Sequence, residues 1–125
     1  MKIALGFAVL LFVFGIYNSG NCASVFTPPI SVPAGDTLNC QVINVSNSTL
    51  TVTMTMFDVL SGNVEQAYAA TIDPKRFEAL GNTWSTERTF FCKFQVTDKT
   101  KIRGSIVVLH YDGSVSREYI RLAAN

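Results

Sequence analysis

The sequence predicts an all-β fold, an antiparallel Greek-key β-sandwich of about seven strands with one intersheet disulfide, behind a cleaved amino-terminal leader. Three observations carry that prediction. Beyond residue 24 the hydrophobic pattern alternates with a period of two, the signature of half-buried strands. Turn residues punctuate the alternation about every 8 to 12 positions. Two cysteines, Cys40 and Cys92, fall on the apolar side of two of these runs.

The chain opens with Lys2, a run of roughly 15 apolar residues, "IALGFAVLLFVFGIY", and then "NSGNCAS". A positive start, an apolar stretch shorter than the ~20 residues that cross a bilayer, and a small-residue exit describe a secretory signal peptide. Residues 1–23 are assigned to it, with cleavage after Ala23 and with Gly20 and Ser24 as alternatives. Residues 24–125 then form one domain without a membrane span.

The first segment, "VFTPPISVPAG" (25–35), is extended, and its prolines confine it to a sheet edge because they lack ladder donors. "LNCQVINV" (38–45) points Leu38, Cys40 and Val42 to one side. "TLTVTMTMFDVL" (49–60) puts Leu50, Val52, Met54 and Met56 on one face and four threonines on the other. "NVEQAYAATI" (63–72) follows the turn "SGN". "DPKRFEALGNTW" (73–84) is expected to be the one non-strand stretch. Asp73 caps a short helical turn there, with Pro74 at its first position and Gly81 at its end. "RTFFCKFQV" (88–96) aligns Phe90, Cys92, Phe94 and Val96. "KIRGSIVVLHY" (101–111) and "SVSREYIRL" (114–122) are joined by Asp112-Gly113, a strong tight-hairpin signal.

In an exported chain two inward cysteines pair. The Cys40–Cys92 loop spans about 53 residues, and closing it stabilises by roughly 4 kcal/mol through the entropy of the unfolded chain. The architecture is Ig-like, with departures from a true immunoglobulin domain. That family carries a tryptophan soon after its first cysteine and a tyrosine two residues before its second. Here Trp84 precedes the second cysteine, and Phe90 stands in the tyrosine's place.

"VPAGDTLNCQVINVSNSTLTVTMTMFDVLSGNV", "FFCKFQV" and "KIRGSIVVLHYDG" together resemble a group of small exported bacterial proteins. The shared features are a proline-glycine lead-in, a first cysteine followed by valine and asparagine, and a second cysteine flanked by aromatics. A strand with arginine and serine comes next. The resemblance spans most of residues 32–112 and implies a sandwich fold and an exported location, with no established activity.

Charge argues against some partners. The chain has ten basic and nine acidic residues, and loss of Lys2 with the leader leaves nine of each. No basic stripe is present to displace counterions from nucleic acid or to dock on anionic lipid.

Catalytic and metal chemistry find little material. His110 is the only histidine, and at a strand end it reads as a structural residue. With Cys40 and Cys92 paired, no thiol nucleophile remains in the domain. Met54 and Met56 alternate on an inward face and read as core rather than as copper ligands. Asp36, Asp58, Asp73, Asp98 and Asp112 are isolated turn residues, without the close spacing of a calcium loop. No cofactor is expected, and an enzyme is a distant third reading.

Two sequons, "NVS" (44–46) and "NST" (47–49), crowd one surface turn, so Asn44 and Asn47 are glycan acceptors if the host is eukaryotic. Phe77, Trp84, Tyr68, Tyr111 and Tyr119 are too many for the core. Trp84, in the loop "LGNTWSTE", is the candidate partner contact, against the alternative of a plug over the sandwich end. The charged residues Lys75, Arg76, Arg88, Lys93, Lys101, Arg103, Arg117 and Arg121 read as solvated.

The expected function is a secreted or periplasmic, non-catalytic binding or structural module that touches a protein or glycan through loops or a sheet face. The second reading is a carrier with a small apolar ligand between the sheets. Cys22 is read as part of the leader's exit. A lipidated cysteine wants a leucine three residues upstream and a small residue before it, and those places hold Ser19 and Asn21.

Overall fold

The computed structural model describes residues 22–112 and 115–125, so the apolar leader and the hairpin residue Gly113 lie outside the described residues. The described residues form nine strands: β1 (Ala23–Phe26), β2 (Ile30–Val32), β3 (Thr37–Asn44), β4 (Leu50–Asp58), β5 (Val64–Ile72), β6 (Phe77–Thr83), β7 (Arg88–Val96), β8 (Ile102–Asp112) and β9 (Val115–Ala123). A 3₁₀ turn, Lys99–Lys101, leads into β8.

These strands make two antiparallel sheets. Sheet A has the order β1-β7-β4-β5, with β2 also on β7, and sheet B has the order β6-β3-β8-β9. After β7 the chain returns to sheet B and lays β8 beside β3, the strand of the first cysteine. An immunoglobulin domain instead keeps the strand after its second cysteine in that cysteine's own sheet. The sandwich is Ig-like in its layers and its bridge, and differs in this connection.

The alternation read from sequence is the alternation of burial. Leu38, Cys40 and Val42 of β3, Val52, Met54 and Met56 of β4, and Phe90, Cys92 and Phe94 of β7 all face one core. The disulfide joins Cys40 to Cys92 across it, with Cα atoms 5.8 Å apart. Prolines divide the first segment. Thr27, before Pro28 and Pro29, is buried, and its Oγ1 accepts from the Cys92 amide at 2.9 Å, so both β1 and β2 stay on β7.

Two expectations are corrected. The stretch 73–84 is a turn followed by a strand, not a capped helical turn. The Arg76 amide donates to the Asp73 carbonyl, and Phe77–Thr83 then pairs along β3 as β6. Alanine, leucine and glycine are weak strand formers, and β6 takes its form from its neighbour instead of its own propensity. With the first segment split, this accounts for nine strands where seven were expected. Asn44, expected in a surface turn, is the last residue of β3 and is wholly buried.

One corner of the sandwich is laced shut. The Phe26 amide donates to the Asn125 carbonyl at 2.8 Å and the Asn125 amide donates to the Phe26 carbonyl at 2.9 Å, which ties the edge of sheet A to the chain end beyond β9.

Candidate binding faces

Trp84 sits between β6 and β7, half-buried, its ring 4.3 Å from that of Phe90. Its indole Nε1 donates to Glu65 Oε1 at 3.1 Å, and the Arg88 guanidinium lies 5.7 Å from its ring centre. Arg88, expected to be solvated, pairs with Asp58 and also donates to Glu65 Oε2 at 3.1 Å. The hydrogen bond from Arg88 holds the Asp58 carboxyl below its ordinary pKa, and the same bond raises that of the guanidinium. Glu65 reaches this cluster because of a bulge. Phe57 pairs with Val64 and Met56 with Gln66, so Glu65 is the extra residue and its carboxylate is re-aimed. The structure therefore seats Trp84 over one end of the core, held by stacking and by a charged network.

His110 and Asp36 are far apart in sequence and adjacent in space. His110 Nδ1 lies 2.7 Å from Asp36 Oδ1, with the carboxylate buried and the imidazole largely exposed. Asp36 reads as isolated in the sequence because it is the register of β3 on β8 that brings its turn to the histidine. The pair ties the turn before β3 to the end of β8. The concavity lined by Gln41, Ile43, Phe77 and Arg103 on sheet B lies elsewhere.

Among the described residues no three histidine, cysteine or carboxylate side chains gather as a metal site. Cys22 is exposed and unpaired just before β1. Of the two sequon asparagines only Asn47 is exposed. The Asn44 amide nitrogen donates to the carbonyls of Ser48 and Ile72 at 2.7 and 2.9 Å, so it is closed to a glycan in the folded chain.

The outer face of sheet A carries a row of aromatic side chains. Phe57 and Phe91 are direct partners on β4 and β7, with ring centres 5.0 Å apart and planes within 15°. Phe26, on β1, lies 6.3 Å from Phe91 and is 45% exposed. Val64, opposite Phe57 on β5, extends the row and is also exposed. Just beyond, at the β4–β5 turn, Leu60 is 90% exposed. Lys93 lies 5.8 Å from the Phe26 ring and sets a positive charge beside the row. The signal was present in sequence as "FFCKF", where Phe91 alternates with the inward Phe90 and Cys92. It gains meaning only once the strand order puts Phe26 and Phe57 on either side.

The class that the fold and these faces define is a two-layer antiparallel β-sandwich with a central disulfide. No family profile and no curated protein matches the chain. Among solved structures the chain is similar to the one titled "Crystal Structure of Thermotoga maritima 1070", with a TM-score of 0.54 at 10% identity, over 82% of this chain and 91% of that one. At that identity the likeness speaks for the fold alone.

Proposed function

We propose that the protein is a non-catalytic binding module of the exported compartment, secreted or periplasmic, and that it holds a protein partner against the outer face of sheet A. The observation that carries this reading is the aromatic row Phe26–Phe91–Phe57, prolonged by Val64 and ending beside the 90% exposed Leu60. A contiguous apolar patch of this kind, with a protruding side chain at its end, is what a partner's pocket desolvates. A glycan suits it less, because sugars stack on open ring faces and Phe57 and Phe91 turn their faces to one another. The leader-like start and the disulfide support export. No helix among the described residues is long and apolar enough to cross a membrane.

The carrier reading has less support, since the disulfide, Met54, Met56, Phe90 and Phe94 take up the space between the sheets. In-cell cross-linking of the wild type against the double variant Phe26→Asp/Leu60→Asp tests the proposal. The wild type is expected to yield one discrete adduct that the variant loses with its unfolding midpoint unchanged. An adduct retained by the variant, or an apolar small molecule that stays with the protein in native mass spectrometry, would overturn it.

A further inference from the structure

The opposite face, the outside of sheet B, is built differently, and its register is informative. Phe77, Ile43 and Arg103 are direct cross-strand neighbours on β6, β3 and β8 and form one ridge. Two residues further along, the row Ala79, Gln41, Ser105 and Ala123 is low, with Gln41 its only long side chain. Arg121 on β9 leans over this row from the other side, its Nη1 donating to Ser105 Oγ at 3.0 Å. The result is an open groove of about 270 Å³ running across the strands, bordered by Phe77 and Ile43 at one end and by Arg103 and Arg121 at the other. Phe77 is 66% exposed there and Ile43 39%.

The two guanidinium groups differ in what they have left to offer. An arginine has five N–H donors. Arg121 commits three of them, two to Glu118 at 2.8 and 2.7 Å and one to Ser105, so its position is set by the protein. Arg103 spends only Nη1, on the carbonyls of Thr100 and Ile102. Its Nε–Nη2 edge, the fork that grips a carboxylate with two parallel bonds, has no protein acceptor among the described residues. The groove therefore holds one uncompensated cation beside an apolar shelf, with an amide in its floor.

We propose that this groove is a second binding site, independent of the face of sheet A, and that it takes a small amphiphilic carboxylate. The carboxylate pairs with the Nε–Nη2 edge of Arg103, close to Arg121, and the aryl or alkyl body lies along Ile43 and Phe77. Gln41 supplies a hydrogen bond to any polar group midway. Charge complementarity selects the anion. The volume, just under the roughly 300–1,000 Å³ of drug-sized pockets, selects a small one.

Titration of the ¹⁵N-labelled protein with 4-phenylbutyrate, with its neutral amide and with acetate tests the site. Phenylbutyrate is expected to give saturable amide shifts centred on Ile43, Phe77, Arg103 and Ser105. The neutral amide and acetate should each bind about ten-fold more weakly or worse, since one loses the charge pair and the other the apolar contact. Arg103→Gln and Phe77→Ser, both at exposed positions, are expected to weaken phenylbutyrate by a similar factor and keep the native spectrum. Equal affinity for acid and amide, shifts centred elsewhere, or no saturable shift at these residues would overturn the proposal.

Discussion

At the scale of single residues, Asn44 and Asn47 make a controlled pair, three positions apart in one stretch of sequence. Asn44 is fully buried, and its side chain closes four hydrogen bonds. It donates to the carbonyls of Ser48 and Ile72, and its Oδ1 accepts from the amide and the hydroxyl of Ser46. It thus pins the end of β3 to its own turn and to the end of β5. Removing the side chain takes a partner from the carbonyl of buried Ile72 and from the amide of half-buried Ser46. Asn44→Ala is therefore expected to cost about 2–3 kcal/mol. Asn47 is exposed, and Asn47→Ala should stay within about 0.5 kcal/mol. Urea unfolding with a shared m-value reads both, and similar midpoints for the two variants would refute the bracket role of Asn44. The same pattern, asparagine among serines, looks like surface in the sequence whichever asparagine is considered. What separates them is that Asn44 is still within β3 on an inward position, which is a matter of where the strand ends.

At the scale of elements, legibility followed the contrast between a strand's two faces. β3, β4 and β7 place apolar residues against mostly polar ones over eight or nine positions, and their inward sets are legible in the sequence. β6 has no such contrast. Its outward residues Phe77, Ala79 and Gly81 are as apolar as the inward Leu80, and its companion Glu78 is charged. Only pairing with β3 makes it a strand. Among the candidate site residues, the disulfide was legible because both cysteines lay on well-marked faces. The aromatic row and the groove were not, because each is assembled from three or four strands whose order the pattern does not reveal.

β8 offers a prediction on how closely these elements pack. Gly104 faces inward, and a Cβ placed on it would lie 2.6 Å from the ring of the buried Phe94 and 3.2 Å from the Ala124 Cβ. Valine has the better strand propensity, by at most about 1 kcal/mol. Forcing a side chain against a filled core costs about 1–3 kcal/mol, so the steric term wins and Gly104→Val should be destabilised. The partner is identified by a double variant. Phe94→Leu combined with Gly104→Ala should lose less than the two single variants together, since the leucine vacates the space that the methyl needs. Additive losses in thermal unfolding would mean that the ring is not what excludes the side chain.

For the whole molecule, the question is what holds the two sheets in one register. The ties that cross between them include the disulfide at the centre, the Trp84–Arg88–Glu65 cluster with Asp58 at one end, the Asn44–Ile72 hydrogen bond from β3 to β5, and the Phe26–Asn125 pair at a corner. The disulfide is the only one that acts on the unfolded chain. It closes a loop with a sequence separation of 52, and this restriction of the unfolded ensemble stabilises by about 4 kcal/mol. Set against a typical stability of about 5–15 kcal/mol, its loss should weaken the sandwich without abolishing it. Cys40→Ala/Cys92→Ala is therefore expected to lower stability by about 3–5 kcal/mol and keep a native strand spectrum at low temperature. Its m-value should rise, because the unbridged unfolded chain exposes more surface. Cys22→Ser, at the exposed residue ahead of β1, should change neither quantity. Both proposed sites lie on outer faces, away from the bridge, so below its new midpoint the unbridged variant should still bind phenylbutyrate and still give the partner adduct. Loss of either ligand with the fold intact would mean that the bridge sets the geometry of that face, and that the two sheets are less independent than their packing implies.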